Sequence, residues 1–223
     1  MTKPKRWNVL NWFIDTFKYQ SYLEIGCYKD VCFNQVKAKH KVGVDPIRGG
    51  THRMTSDEFF LTEDRIDNLP LRRFDIGFVD GLHHAVQVLD DVNNLLRHLS
   101  PNGVILIHDC LPAKEEFTVI VDSKGKSITS PPDGKPPNST PWHGDVWKAM
   151  IQLRQRMNLD CVTLNEDCGI GIILNKPNTN PLKVYKHSLS WKHYRMNRIS
   201  WLNVQNWKNV KQWASSRLLI PGK

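Results

Sequence analysis

The hydrophobic pattern changes period three times within residues 74–109. Phe74, Ile76, Phe78 and Val79 form a nearly continuous apolar run that ends on Asp80. Val88, Leu89, Val92, Leu95, Leu96 and Leu99 then recur at three- and four-residue spacing, one face of an amphipathic helix. Val104, Ile105, Leu106 and Ile107 are fully apolar and end on His108-Asp109. Ser100-Pro101-Asn102-Gly103 reads as the turn back to the sheet. Apolar strands joined by a helix predict a βαβ unit in a parallel sheet covered on both faces. Ligands of such sheets bind at the carboxyl ends of the strands, where Asp80, His83, His108 and Asp109 fall.

The same patterns extend to both sides. Residues 7–18 predict a helix with Val9, Leu10, Phe13, Ile14 and Phe17 on one face. Residues 22–26 predict a short buried strand, 30–38 a helix, and 41–45 a strand stopped by Pro46. Met54-Thr55 reads as a very short third strand, and Thr55 or Ser56 as the cap of a helix through residues 57–60. Residues 111–141 are rich in Pro, Gly and Ser with no period, which predicts a lid-like loop. A helix follows over 144–157. Strands at 160–164 and 169–174 are joined by four residues, so they must form an antiparallel hairpin. The fold class is α/β, a three-layer Rossmann-like sheet, mostly parallel with one antiparallel strand. Residues 1–176 form the main domain and 177–223 a basic, Trp-rich helical extension.

The chain has 223 residues, of which 40% are hydrophobic, enough for one domain with an extension. No apolar run reaches the roughly 18 residues a membrane span needs. The start is basic but polar-interrupted, unlike a signal peptide, and a cytoplasmic protein is expected. Five cysteines without zinc spacing read as free thiols. The net charge of +9 is unevenly placed, because ten Lys/Arg follow the last acid, Asp167. That leaves 21 basic and 22 acidic residues up to and including it. Trp191, Tyr194, Trp201, Trp207 and Trp213 interleave with these cations. Residues 183–217 could thus meet single-stranded nucleic acid or another anionic surface. Two amphipathic helices packed on the body, or at a homo-oligomer contact, are the plainer expectation.

Leu23-Glu24-Ile25-Gly26-Cys27 is a strand entering a glycine turn before a helix N-terminus, a place for backbone N–H groups to meet a ligand. Asp45 ends the next strand, where an acid can accept from ribose hydroxyls. A diphosphate site wants three glycines, and here only Gly26 is present. Glu24 suits a ligand that presents an amine. The plain alternative is a tight turn, with Asp45 as an ordinary strand-end acid. Asp80 and Asp109 end neighbouring strands about 4.8 Å apart. At that separation two carboxylates repel by about 3 kcal/mol at a dielectric near 20. They must share a proton, find a basic partner or bind a cation. Oxygen ligands favour Mg²⁺, Mn²⁺ or Ca²⁺. His83 and His108 flank the spot as ligands or a general base. His84 and His98 read as surface or core residues. Asp145 reads as an N-cap, and His143 as a residue the loop brings over the site.

The ordered set YLEIG, GVDP, FVDGLHH and ILIHDC resembles the class I S-adenosylmethionine-dependent methyltransferases. Within them it is similar to the methyltransferase 24 family, frequent in glycan and natural-product biosynthesis. The resemblance covers about residues 20–175 and implies a seven-stranded methyltransferase fold with S-adenosyl-L-methionine as cofactor. It places Glu24, Gly26 and Cys27 at the methionine end, Asp45 at the ribose, and Thr55, Ser56 and Asp57 near the adenine. Asp80 closes the cofactor site. Asp80, Asp109 and His108 match metal positions of related O-methyltransferases, and His83, His108 and Asp80 become the catalytic candidates. The implied acceptor is a sugar or another small hydroxyl compound.

Three positions depart from the pattern. Lys29-Asp30 stands where a later glycine is usual, Leu82 where sugar enzymes carry a carboxylate, and Cys110 where a third metal ligand follows. FVDGLHH stands in place of the Asn/Asp-Pro-Pro-aromatic motif of amino-group methyltransferases, which points to a hydroxyl acceptor. The alternatives are a nucleic-acid-directed protein using the basic tail, and a non-catalytic protein of the same fold.

Overall fold

The computed structural model describes residues 3–64, 73–120, 142–183 and 189–218. The first half runs α1 (Arg6–Phe17), β1 (Ser21–Ile25), α2 (Val31–Gln35), β2 (His40–Val44), α3 (Ser56–Asp64), β3 (Phe74–Val79), α4 (Ala85–Arg97) and β4 (Leu99–Ile107). The second runs α5 (Val146–Arg154), β5 (Asp160–Leu164), β6 (Ile170–Leu174), α6 (Trp191–Trp201), β7 (Val204–Gln205) and α7 (Trp207–Arg217). All seven strands form one sheet in the order β2-β1-β3-β4-β6-β5-β7. Only β6 runs against its neighbours, between β4 and β5.

Alternation along the strands builds the two outer layers. Ile105 and Ile107 of β4 face one core with Val88, Val92 and Leu95 of α4 and Trp147 and Met150 of α5. Val104 and Leu106 face the other, with Leu10, Phe13 and Phe17 of α1 and Val210 and Ala214 of α7. Both faces are therefore covered, as the continuous apolar strands require. The chain adds β2 on one side of β1, then β3 and β4 on the other. The carboxyl ends of β1 and β3 thus flank the topological switch point, where α/β sheets bind ligands.

Four details differ from the expectation. Met54-Thr55 is no strand; the outer edge keeps a single bridge, Val44 to His52. The segment Ser100–Gly103 does not end the strand, because β4 starts at Leu99. Phe74 pairs with Leu99 and Ile76 with Val104, so two residues of β3 span five of β4 in a bulge. The helix expected over 30–38 is only Val31–Gln35, and the seventh strand comes from the tail. The lid expected at 111–141 lies outside the described residues from 121 onward; its first part makes a short 3₁₀ turn, Glu115–Thr118.

The tail packs on the body through its aromatic residues. Tyr194 is buried against Trp147 with ring centres 4.6 Å apart, and Trp207 meets Trp12 at 5.3 Å. Trp213 Nε1 donates to the buried Asp160 carboxylate, which also pairs with Arg217 at 2.9 Å. Lys192, Arg195 and Lys208 remain on the solvent side. Buried Arg154 of α5 ties the tail down: Nη1 donates to the Ser200 and Trp201 carbonyls at 2.7 and 2.6 Å, and Nη2 to Asn180 at 2.8 Å. Arg154→Met removes these three hydrogen bonds from the buried end of the tail, and an unfolding free energy about 3 kcal/mol lower is expected. Urea denaturation checks this, and a change below about 0.5 kcal/mol would show that the tail does not depend on it. Among the described residues no helix is long and apolar enough to cross a membrane.

Candidate active site

Two sets of residues meet in one cavity of about 820 Å³ at the carboxyl ends of β1 to β4. The first surrounds the turn after β1. Gly26 has φ +88°, and a Cβ there would lie 2.2 Å from the Asp80 carbonyl oxygen, so only glycine brings these strand ends together. The later glycine of the usual motif is replaced by residues that take the left-handed turn themselves, Tyr28 at φ 48° and Asp30 at φ 59°. Asp30 does not cap α2; its carboxylate accepts from Gly50 N at 2.7 Å.

Glu24 is 1% exposed on β1 and lines the cavity. Burial disfavours its ionised form and pushes its pKa up to about 8, against the bond donated by the Tyr22 hydroxyl. Asp45 ends the path of β2 and lines the same cavity. Its two oxygens accept from Tyr28 N at 2.8 Å, Ile47 N at 2.8 Å and Arg48 N at 2.9 Å. A carboxylate has about four acceptor positions, so about one remains for a ligand. The Cys27 thiol bonds to the Glu24 carbonyl and sits beneath Gly43, forming wall rather than contact point. Thr55 caps α3 in a reciprocal box with Glu58, while Ser56 is buried and Asp57 exposed, all three on the cavity wall.

The second set gathers acids and bases. Arg6 of α1 donates from Nη1 to Asp80 at 2.6 Å, and its Nε and backbone N reach Asp167 at 3.1 and 2.7 Å. His83 Nδ1 lies 2.7 Å from the Trp142 carbonyl, which can only accept, so this nitrogen carries the proton. The ring stacks on Trp142 with centres 4.4 Å apart, and Nε2 lies 3.5 Å from Asp80. Gly144 permits this approach: a Cβ there would sit 1.7 Å from the His83 carbonyl oxygen. His108 Nδ1 is 3.2 Å from Asp80 Oδ1 and 3.1 Å from Asp109 Oδ2. His143 Nδ1 reaches Asp109 Oδ1 at 3.6 Å. Asp109, Asp167 and Cys168 all hold left-handed φ, between 46° and 65°, a cluster of backbone strain at one spot.

Charge shapes this pole. Burial alone would raise the Asp80 carboxyl, but the neighbouring His108, His83 and Arg6 hold it well below the carboxylate range. Burial would lower His108, yet the Asp80 and Asp109 carboxylates raise it to about 10. For His83, burial is likewise outweighed by Asp80 and Asp109, so its pKa is raised. The two strand-end acids thus have basic partners of their own.

They also suit a divalent ion. Neither carboxylate oxygen beside His108 Nδ1 is hydrogen-bonded to it, and both ring nitrogens are buried without a hydrogen-bond partner. Bonds of about 2.1 to 2.3 Å to one ion would set cis neighbours about 3.0 to 3.3 Å apart. The separations at His108 Nδ1, 3.1 and 3.2 Å, match that spacing. Asp80, His83 and Asp109 likewise offer ligand atoms within 4.8 Å of one another.

Cys110 is no ligand, because its thiol turns inward to the Ile107 carbonyl and the core. Asp145 does not cap its own helix; it accepts from Ala85 N at 2.6 Å and so caps α4. His98 is buried against Phe60. Arg6 and Asp91 line the cavity and escaped the sequence reading, as did Asp167, on the hairpin between β5 and β6, which Arg6 ties to the site. Two had a signal. Arg6 puts a cation in the first turn of a helix, where the dipole disfavours it. Asp91 is an acid on the apolar face of α4, between Val88 and Val92.

The sheet order, the single antiparallel strand and the cavity at the switch point define a class I methyltransferase fold. Residues 23–110, from β1 to just past β4, match the methyltransferase 24 family model, described as a methyltransferase domain. The O-methyltransferase TomG of Streptomyces achromogenes, solved with SAM and involved in tomaymycin synthesis, is 13% identical. The match covers 75% of this chain and 78% of that one at a TM-score of 0.53. The SAH-bound methyltransferase PaMTH1 of Podospora anserina is 16% identical over 79% and 80%, at 0.50. An O-methyltransferase from Bacillus cereus with SAH is 12% identical over 79% and 83%, also at 0.50. At such identities the likeness is one of fold. No curated protein matches the sequence.

Proposed function

We propose that the protein is an S-adenosylmethionine-dependent O-methyltransferase acting on a sugar or another small hydroxyl compound. The observation that carries this is the single cavity, which joins the Glu24–Gly26 turn and Asp45 to the acid and imidazole cluster at Asp80, His83, His108 and Asp109. Glu24 is a buried carboxyl facing a cavity, where the methionine ammonium of the cofactor would give its carboxylate a counter-charge. Asp45 keeps about one acceptor position for the ribose.

In this reading His83 is the general base. Its Nδ1–H is fixed on the Trp142 carbonyl, which leaves the Nε2 lone pair for the acceptor hydroxyl. The hydroxyl oxygen forms the new C–O bond as the methyl–sulfonium bond breaks, the electron pair stays on sulfur, and the proton goes to Nε2. Asp80 then stabilises the imidazolium. Asp80, Asp109 and His108 would hold a divalent ion such as Mg²⁺, Mn²⁺ or Ca²⁺. Such an ion supplies a lower hydroxyl pKa when bound. The second reading, a nucleic-acid partner for the tail, has less support, because the tail aromatics pack on the body.

Calorimetry with S-adenosylmethionine, followed by transfer of a labelled methyl group to a panel of sugars, polyols and amines, tests the proposal. Micromolar cofactor binding and label on hydroxyl acceptors are expected. No binding at millimolar cofactor would leave a non-catalytic protein of this fold, and label on amines alone would overturn the O-methylation.

A further inference from the structure

Cys168 sets a thiol against the acid and imidazole cluster. It sits on the hairpin between β5 and β6, which is tied to the chain just past β4. Cys110 N donates to the Gly169 carbonyl and Leu111 N to the Cys168 carbonyl, both at 2.9 Å. A Cβ at Gly169 would lie 2.3 Å from the Leu111 Cβ, so only glycine lets the hairpin come this close. Four of the five cysteines are buried, whereas Cys168 is part-exposed and lines the cavity. Its Sγ, one nitrogen of His108 and one oxygen of Asp109 all lie within 4.8 Å of one another. His108 is 3% exposed, and its Nε2 has no hydrogen-bond partner. On that side Asp167 Oδ2 lies 4.0 Å away and is already held by Arg6. Atoms that converge on one small ion cover one another from water, so an enclosed nitrogen suits an ion held between ligands.

We propose that His108, Asp109 and Cys168 form a seat for a thiophilic divalent ion of the Zn²⁺ type, and that an ion seated there inhibits methyl transfer. Thiolate, imidazole and carboxylate are the ligand types of Zn²⁺, at about 2.0 to 2.3 Å, and water completes the tetrahedron. Such bonds put ligand atoms about 3.3 to 3.8 Å apart, so the three atoms close by no more than about 1.5 Å. A soft thiolate selects against Mg²⁺ and Ca²⁺. The seat draws His108 and Asp109 away from the set they form with Asp80, so the two kinds of ion exclude each other. The binding stands on the geometry of the three ligands; the inhibition rests on the function proposed above.

The test uses the full, chelator-treated chain at pH 8, first with Co²⁺ as a spectroscopic stand-in for Zn²⁺. Wild type is expected to show a thiolate-to-cobalt charge-transfer band that added Zn²⁺ removes. Cys168→Ser should lose the band and bind Zn²⁺ at least about tenfold more weakly. Thermal melting establishes that the variant is folded. In transfer assays with Mg²⁺ in excess, Zn²⁺ should inhibit wild type. Cys168→Ser should keep its basal turnover and need at least about tenfold more Zn²⁺ for the same inhibition. A wild type without the band overturns the seat, as does a band or a Zn²⁺ affinity that persists unchanged in Cys168→Ser. Turnover with Zn²⁺ equal to that with Mg²⁺ overturns the inhibition. A Cys168-dependent band in a protein that transfers no methyl group with any ion supports the seat, and the failure then belongs to the methyl-transfer reading.

Discussion

Asp109→Ala is expected to lower methyl transfer by at least about 10³-fold while leaving S-adenosylmethionine affinity within about tenfold. Asp109 is the hub of the proposed reacting pole: His83, His108 and His143 lie 3.4, 3.1 and 3.6 Å from its oxygens. Removing it leaves three imidazoles without their shared counter-charge and takes away one proposed ion ligand. Asp80→Ala should be equally severe, because Arg6 and both catalytic-pole histidines rely on it. The cofactor end, around Glu24 and Asp45, touches neither side chain directly, so binding should survive. Dialysis against a chelator should reduce wild-type turnover on the order of 10²-fold, with recovery on adding Mg²⁺ or Mn²⁺. Single-turnover transfer and calorimetry on the same samples decide the matter. Either alanine variant retaining more than a tenth of the turnover would remove the acid pair from the mechanism.

Cofactor affinity should climb with pH until about 8 and then level. Glu24 in the empty cavity is held protonated up to about pH 8 by burial, against the bond from Tyr22. The methionine ammonium needs the carboxylate, so binding below that pH must expel a proton. Affinity then falls about tenfold for each pH unit below 8. Calorimetry at pH 6.5 in buffers of different ionisation enthalpy should report about one proton released. Glu24→Gln should flatten the profile and weaken binding at pH 8 by roughly 10 to 150-fold, the worth of one charge-assisted hydrogen bond. Stability should move the other way. A carboxyl whose folded pKa is raised destabilises the fold as pH rises from its ordinary value of 4.5 toward 8. Glu24→Gln should therefore melt higher than wild type at pH 8. A flat wild-type binding profile would show that Glu24 does not meet the ammonium.

The strand periods, the helix faces and the hairpin at β5 and β6 were legible because each is a local pattern with one solution. The candidate residues at strand ends were legible for the same reason, since the rule that ligands meet the carboxyl ends needs only the strands. Less local features were not. The bulge in β4 hides behind Ser100-Pro101-Asn102-Gly103, which has the chemistry of a turn but is held in the sheet by Leu99 and Val104 on either side, both paired with β3. Asp145 sits where an N-cap belongs, yet its carboxylate serves Ala85 on another helix. Arg6, Asp91 and Asp167 come from elements that carry no motif, and they become site residues only because the sheet order brings α1, α4 and the β5–β6 hairpin to one cavity.

By itself the sequence determined the fold class, the methyltransferase resemblance and the acids at the ends of β1 to β4, because hydrophobic period and strand-end position are properties of short stretches. Tertiary structure alone decided which charges face one another. Whether Asp80 and Asp109 stand as a bare acid pair or inside a lattice of Arg6, His83, His108 and His143 depends on contacts across as many as 74 residues. No spacing in the chain records such distances, and the burial that shifts Glu24, Asp91 and His108 exists only once the layers have closed.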